Sequence, residues 1–240
     1  MKVTVILPAA GLGTRMGRPA PEKAGTSRKQ FMLLDGSPIL LHTIRKFVSS
    51  DWVSGIVVAL RAEDMSWVGE LLAQENFSKP VRLVEGGDSR QQSVENALVT
   101  LPEDTELVAV HDAVRPFIEL DILGKVFAEA AESGAAIVGI VPVDTVKQVH
   151  RNKVRATIPR ERLILTQTPQ VFRHSLLRKA FDRAKEDGFI GTDESSLVER
   201  LEEVEVSVVP GSDRNIKITK PSDIDLAKHF LVDEKAHANP

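Results

Sequence analysis

Three stretches of this sequence place small residues and fixed charges where a phosphate could be gripped. The first is Pro8-Ala9-Ala10-Gly11-Leu12-Gly13-Thr14-Arg15-Met16, which closes an apolar run. Small side chains there let backbone N–H groups approach a phosphate, and glycine opens conformations with positive φ. The spacing fails as a dinucleotide fingerprint. Gly11 and Gly13 fill the first two places of G-x-G-x-x-G, but Met16 stands at the third. A P-loop fails too, because no Gly-Lys-Ser/Thr follows. Arg15, with Lys29-Gln30 further on, supplies positive charge that suits a triphosphate better than a nicotinamide. The same glycines would equally serve an ordinary strand-to-helix turn.

The second stretch, Glu85-Gly86-Gly87-Asp88-Ser89-Arg90-Gln91-Gln92-Ser93, sets two glycines before a helix start. It suits a ligand pressed against backbone amides, or a plain helix cap at Asp88 or Ser89. The third is Val110-His111-Asp112-Ala113-Val114-Arg115-Pro116. Its acid could help hold hydroxyls or a divalent cation, and its guanidinium could fork onto a phosphate; a mutual salt bridge is the simpler alternative. His111 reads as structural, since the six histidines lack metal-ligand spacing. Later polar motifs are Asp144-Thr145, Arg160, Thr166-Gln167-Thr168-Pro169-Gln170, Gly191-Thr192-Asp193-Glu194 and Arg214-Asn215-Ile216-Lys217. None forms a Ser/His/Asp constellation, and no G-x-S-x-G elbow occurs. Basic residues, glycine turns and hydroxyls together suit two phosphorylated ligands.

The elements that must carry these motifs alternate along the chain. Apolar runs predict strands at Val3–Pro8, Gly55–Leu60, Val81–Val84, Leu107–His111, Ala136–Val141, Val204–Val209 and Ile216–Thr219. Ser37-Pro38 predicts an N-cap and first turn for a helix over Ile39–Val48. Ser89 would cap a helix to about Leu101, and Asp121 one to about Ser133. Further helices start near His174, at Thr192-Asp193 running to Glu203, and at Ser222 running to Leu231. The pattern is α/β with a mostly parallel sheet. One segment departs from it: Val143–Val149 and Lys153–Ile158 alternate like a hairpin with Arg151-Asn152 at its turn. A long hairpin is not stable alone in water, so it either extends the main sheet or leans on a second subunit. The tail 233–240 is polar and expected to fray.

Composition narrows the field. The chain has 240 residues, 31 basic against 34 acidic, for a net charge of −3. That balance announces no polyanion-binding surface, so nucleic acid is not the expected partner. With 42% hydrophobic and 27% charged residues it has the make-up of a globular protein. The lack of cysteine excludes disulfides, thiol catalysis and zinc–thiolate sites. The longest charge-free stretch, Val3–Thr14, is well short of the ~20 residues that cross a bilayer, and it ends in Gly-rich sequence rather than a cleavage site. No membrane association is expected, and the location expected is the cytoplasm.

Taken in order, the motifs resemble the 2-C-methyl-D-erythritol 4-phosphate cytidylyltransferase family of the non-mevalonate isoprenoid pathway. The likeness runs from Val3 to about Leu231. The Ala-Ala-Gly-x-Gly-x-Arg-Met loop is common to many sugar nucleotidyltransferases. Its combination with Gly-Gly-Asp-x-Arg, His-Asp-Ala-x-Arg-Pro, Thr-Pro-Gln, Thr-Asp-Glu and Asn-Ile-Lys-Ile-Thr is more specific. The resemblance implies a Rossmann-like three-layer sandwich with a mostly parallel central sheet and a protruding β-hairpin arm. It implies one nucleotidyltransferase domain over 1–232, with a dimerisation arm at about 143–162. Pro8, Ala9, Ala10, Gly11 and Gly13 would line CTP, with Gly87, Asp88 and Ser93 on its cytosine and ribose side. Arg15, Lys29 and Lys217 would contact phosphates as the catalytic cations. Asp112, Arg115, Thr168, Thr192 and Lys217 would surround the sugar-alcohol phosphate. Thr145 and Arg160 would reach into the partner's site of a homodimer. Mg²⁺, or another divalent cation, would be held mainly by the triphosphate. The link Gly17–Arg28 is longer than the family's usual one and carries Arg18, Lys23 and Arg28; Lys29, followed by Gln30 and Phe31, fits the motif best. The other readings are a ribitol 5-phosphate cytidylyltransferase, an NAD-dependent oxidoreductase and a non-catalytic nucleotide sensor.

Overall fold

The computed structural model describes residues 2–11 and 28–238. Its strands are β1 (Val3–Pro8), β2 (Leu33–Leu34), β3 (Ser37–Pro38), β4 (Val53–Leu60), β5 (Val81–Glu85), β6 (Leu107–Val110), β7 (Ala135–Ile140), β8 (Val146–His150), β9 (Lys153–Ile158), β10 (Leu165–Arg173) and β11 (Ser207–Pro210). Its helices are α1 (Ile39–Val48), α2 (Ala62–Ala73), α3 (Arg90–Leu98), α4 (Leu120–Ser133), α5 (His174–Glu186), α6 (Glu194–Glu199) and α7 (Pro221–Ala238). Seven strands form one sheet in the order β11-β7-β10-β6-β1-β4-β5. All neighbours are parallel except at β10, which runs antiparallel to both β6 and β7.

Period-2 alternation sorts the strand side chains into two cores. Val3, Val5 and Leu7 of β1, with Ile56 and Val58 of β4, meet Ile44 and Phe47 of α1, Val68 of α2, and Val126 and Phe127 of α4. Ile6, Val57, Val108 and Val110 point the other way, onto Val94 and Leu98 of α3, Leu177 and Phe181 of α5, and Val198 of α6. Both faces are covered, which explains why the strands read as unbroken apolar runs. The result is the three-layer, mostly parallel α/β sandwich that the sequence predicts. Among the described residues no helix is long and apolar enough to cross a membrane.

Strand β1 has β4 on one side and β6 on the other. The chain therefore leaves β1 in one direction and returns on the opposite side, opening a crevice at the carboxyl ends of these strands. The three predicted phosphate-handling stretches all begin at that edge.

Several boundaries differ from the sequence reading. Ile216–Thr219 is not a strand; Ile218 N donates to Val114 O at 3.0 Å, and its side chain joins a small core with Leu34, Phe117 and Ala227. Ser37 and Pro38 do not cap α1 through a side chain, but pair with Leu33 and Leu34 as a short ladder. Asp121 lies inside the first turn of α4, whose N-cap is Glu119. Strand β11 starts at Ser207 rather than Val204, and α3 and α6 end at Leu98 and Glu199, short of Leu101 and Glu203. Helix α7 continues to Ala238, so 233–238 extend a helix where a frayed tail was expected. Helix α2 and strand β10 lie where the sequence reading has no element.

The hairpin forms as anticipated. Strands β8 and β9 pair only with each other, and Arg151 and Asn152 both have positive φ, 47° and 60°. Positive φ at both central residues is the signature of a type I′ turn, whose twist matches that of the strands.

Candidate active site

A cleft of about 320 Å³ opens at the carboxyl ends of β1, β4, β5 and β6. Its floor is the backbone of Pro8-Ala9-Ala10-Gly11, pinned from two sides. Ala9 N donates to Ala59 O at 2.8 Å, and the buried Gln30 donates Nε2 to Ala9 O at 2.7 Å and Gly11 O at 3.1 Å. One wall is the turn from β5 into α3. Gly86 N donates to Leu60 O at 2.6 Å, bringing this turn against the first loop. A Cβ at Gly86 would lie 2.6 Å from Ala10 Cβ and 3.3 Å from Leu60 O, so only glycine permits the approach. Ser89 caps α3 by accepting from Gln92 N at 3.0 Å, as predicted. Ser93 is buried and its hydroxyl holds the turn, accepting from Gly87 N at 3.1 Å and donating to Ser89 O at 2.8 Å. Lys29, Arg61, Asp88, Arg90, Asp112 and Lys217 supply its charged lining.

A second pocket of about 200 Å³ adjoins the first and shares Arg90, Asp112 and Lys217 with it. Arg115, Thr166, Gln167, Thr168, Gln170, Thr192 and Asp193 supply its other walls. Strand β10 builds this side. Its Gln167, Thr168 and Gln170 are polar yet buried because their groups are paired. Thr168 Oγ1 accepts from Asp112 N at 3.0 Å, and Gln170 donates to Asp193 Oδ2 at 2.8 Å while accepting from Ser195 N at 3.0 Å. Asn215 donates to Gln167 Oε1 and Thr168 O at 3.0 and 2.9 Å, locking the segment that carries Lys217 onto β10.

Asp112 lies where the pockets meet and is ringed by cations. Lys217 Nζ is 2.9 Å and Arg115 Nε 3.2 Å from its Oδ2, and Arg90 Nε is 3.4 Å from its Oδ1. Burial opposes the charge, but Lys217, Arg90 and Arg115 outweigh it and hold the carboxyl well below the usual carboxylate range. Asp112 is thus a fixed anion among fixed cations. Beside it, burial pushes His111 down to about 4, and its Nε2–H donates to Arg115 O at 3.0 Å. That agrees with a structural histidine.

This crevice can take two anionic ligands side by side, one on backbone amides and one on charged side chains. A family model described as 2-C-methyl-D-erythritol 4-phosphate cytidylyltransferase matches residues 3–233. The chain belongs to that family. A member from Solibacter usitatus (strain Ellin6076) is 68% identical and the alignment covers 99% of both chains. Another from Acidobacterium capsulatum is 50% identical, covering 96% of this chain and 98% of its own. Among solved structures, 4-diphosphocytidyl-2C-methyl-D-erythritol synthase from Anaerococcus prevotii superposes with a TM-score of 0.83 at 28% identity, covering 96% of each chain. The Francisella tularensis 2-C-methyl-D-erythritol 4-phosphate cytidylyltransferase gives 0.78 at 32%, covering 95% and 99%. The chain is accordingly a nucleotidyltransferase of the cytidylyltransferase family.

Against that cytidylyltransferase frame, the described candidate residues fall into three groups. Pro8, Ala9, Ala10, Gly11, Lys29, Gly87, Asp88 and Ser93 line the larger cleft. Asp112 and Lys217 line both pockets, and Arg115, Thr168 and Thr192 the smaller one. Thr145 and Arg160 line neither; they are exposed at the base of the β8–β9 hairpin, where Arg160 donates to Val143 O. Gly13 and Arg15 lie outside the described residues. The sequence reading passes over Arg61 and names Gln30 and Arg90 only as parts of motifs, with no role of their own. Arg61 is the first charged residue after the apolar run of β4, the same position that singles out Asp112 after β6.

Proposed function

We propose that this chain transfers the cytidylyl group of CTP to 2-C-methyl-D-erythritol 4-phosphate, giving 4-diphosphocytidyl-2-C-methyl-D-erythritol and pyrophosphate. The observation that carries the reading is the pair of pockets meeting at Asp112 and Lys217. CTP occupies the larger cleft, its phosphates on the amides of Ala9–Gly11 and on Lys29, its base against the Gly87 turn. Arg15 joins this set on its sequence motif. The acceptor phosphate occupies the smaller pocket with Arg115, Thr168, Thr192 and Lys217.

In this geometry a phosphate oxygen of the acceptor attacks the α-phosphorus in line, the new P–O bond forms, and the bond to the β-phosphate breaks to release pyrophosphate. A phosphate monoester with a second pKa near ~6 is largely dianionic at neutral pH, so the nucleophile needs no general base. Catalysis then consists of positioning and of neutralising charge on the reacting phosphorus. Asp112 serves as an anchor for Lys217 and as an acceptor for acceptor hydroxyls. A divalent cation fits as part of the nucleotide substrate. Among the described residues Asp88 and Asp112 are the only carboxylates lining the cleft, and Asp112 is already engaged by three cations, so phosphate oxygens must supply most ligands. Such a cation adds positive charge at the triphosphate.

We also propose a homodimer in which the arm at 143–162 completes the partner's site. Support comes from Thr145 and Arg160, exposed and absent from both pockets of their own chain, and from Val149 and Val154, 56% and 62% exposed on a hairpin with no sheet neighbour. Pyrophosphate release with CTP and methylerythritol phosphate, compared with ribitol 5-phosphate and with no acceptor, tests the reading. Preference for ribitol 5-phosphate, or binding without turnover, would overturn it.

A further inference from the structure

We infer that Arg90 is a positioning residue that ties the nucleotide half of the site to the acceptor half, a role that rests on the proposed assignment of the two pockets. Arg90 opens α3 directly after the Gly86–Ser89 turn and lines both pockets. Its Nη1 and Nη2 donate to Glu194 Oε1 and Oε2 at 2.7 and 2.9 Å, and its Nε to Asp112 Oδ1 at 3.4 Å. Three elements therefore hang on one guanidinium: the start of α3, the start of α6, and the turn after β6.

The pairing is directional. A guanidinium fork on a carboxylate has one good orientation, and Glu194 is only 1% exposed, so it cannot swing away. With all three nitrogens engaged, Arg90 acts through Asp112 and Glu194. Glu194 follows Thr192 and Asp193, which line the acceptor pocket, while Asp88 and Ser89 precede Arg90 on the nucleotide side. Seating a nucleotide against the α3 turn thus sets the acceptor side through rigid links. A neutral strap runs alongside: Gln91 donates to Phe189 O at 3.2 Å and accepts from Gly191 N at 2.9 Å. That strap ties the 189–191 segment to α3 independently of the ion pair.

Steady-state kinetics on Glu194→Gln and Arg90→Lys test the link. KM for the acceptor should rise about tenfold while the Kd for CTP alone stays within about twofold, with the double variant no worse than the poorer single. A purely structural role would lower kcat at unchanged KM and add across the pair; that result, or wild-type KM in Glu194→Gln, overturns the inference. If a single variant fails to fold, Arg90→Gln combined with Glu194→Gln leaves no stranded charge and carries the same expectation. Amide exchange over 190–199, measured with and without CTP, needs no acceptor and so separates this inference from the acceptor's identity. CTP should slow it in the wild type and not in Glu194→Gln. Equal slowing in both would overturn the link even if methylerythritol phosphate proves to be the substrate.

Discussion

Lys217 Nζ rests 2.9 Å from Asp112 Oδ2, joining the segment ahead of α7 to the turn that follows β6. Arg115 reaches the same oxygen at 3.2 Å and donates Nη1 to Asn215 O at 2.7 Å, so the lysine's own segment is clamped from a second direction. In the proposed reaction the ammonium is held in place before any phosphate arrives, and little reorganisation remains when charge develops at the reacting centre.

Replacing Lys217 by alanine should lower kcat by about 10²–10³-fold with a small change in melting temperature. Asp112 keeps Arg90 and Arg115 as partners, and the lysine side chain is 35% exposed, so the fold loses little. Steady-state pyrophosphate release together with a thermal melt checks this, and near-wild-type turnover would reject it.

Gly86→Ala should cost about ten- to a hundredfold in kcat/KM for CTP, because the added methyl must push the α3 turn away from Ala10 and the Leu60 carbonyl. Gly87→Ala should cost a similar amount: its Cβ would lie 2.3 and 2.6 Å from Cγ and Cβ of Gln92, and rotation of that side chain cannot move its Cβ. Kinetics of the two alanine variants side by side check both; wild-type kcat/KM for CTP in either would reject the close approach.

CTP should be preferred over UTP, ATP and GTP. The larger cleft holds about 320 Å³, and its base side is the Gly87 turn packed under Ala10, which suits a pyrimidine. Competition among the four triphosphates measures the ratio; equal kcat/KM for ATP would place the base elsewhere.

Stability should fall as pH drops from about 6.5 to about 4 through His111. The folded protein keeps this buried imidazole neutral down to about 4, whereas the unfolded chain takes up its proton near ~6.5. Protons favour the unfolded state within that window, by about 3 kcal/mol across it. Denaturant titrations at a series of pH values should show a shallower acid loss in His111→Asn than in the wild type. Parallel pH profiles would argue that the histidine is charged or solvated.

Arg160→Ala should raise KM for the acceptor and spare CTP binding. Mixing Arg160→Ala chains with Lys217→Ala chains should restore activity, since one composite site would carry both lesions and the other neither. No recovery, with subunit exchange confirmed, would mean that Arg160 works in its own chain.

Much of the fold was legible because the parallel strands are covered on both faces and so appear as short apolar runs, such as Val3–Pro8 and Leu107–Val110. Strand β10 hid because its leading residues, Thr166-Gln167-Thr168-Pro169-Gln170, are polar. Gln167, Thr168 and Gln170 are nonetheless buried, compensated by side-chain hydrogen bonds that no periodicity announces. Helix α2 does present an apolar stripe, Met65, Val68, Leu71 and Leu72, to the first core, but only Val68 of these is fully buried, so the stripe is shallow and the sequence reading passes over it. Ile216–Thr219 has the alternation of a strand, but its apolar residues serve a side cluster instead of a ladder. Within the site, glycines and charges at strand ends were readable one loop at a time. Arg61, Gln30 and Arg90 acquire meaning only when loops distant in sequence converge.

The reversed direction of β10 has a consequence for how the two ligands are served. Leu165 pairs with Ile140 and Gln170 with Val110, so this strand delivers its beginning to the edge where its neighbours end. In the proposed assignment the nucleotide is met by loops that leave parallel strands, the acceptor also by residues that enter an antiparallel one. The two halves share Arg90, Asp112 and Lys217, but Thr166, Gln167 and Thr168 line the acceptor pocket alone. Exchange of side chains at 166–168 can reshape what the acceptor pocket admits while the glycine turns beneath the triphosphate stay as they are, and a lineage could change its sugar phosphate without relearning its nucleotide.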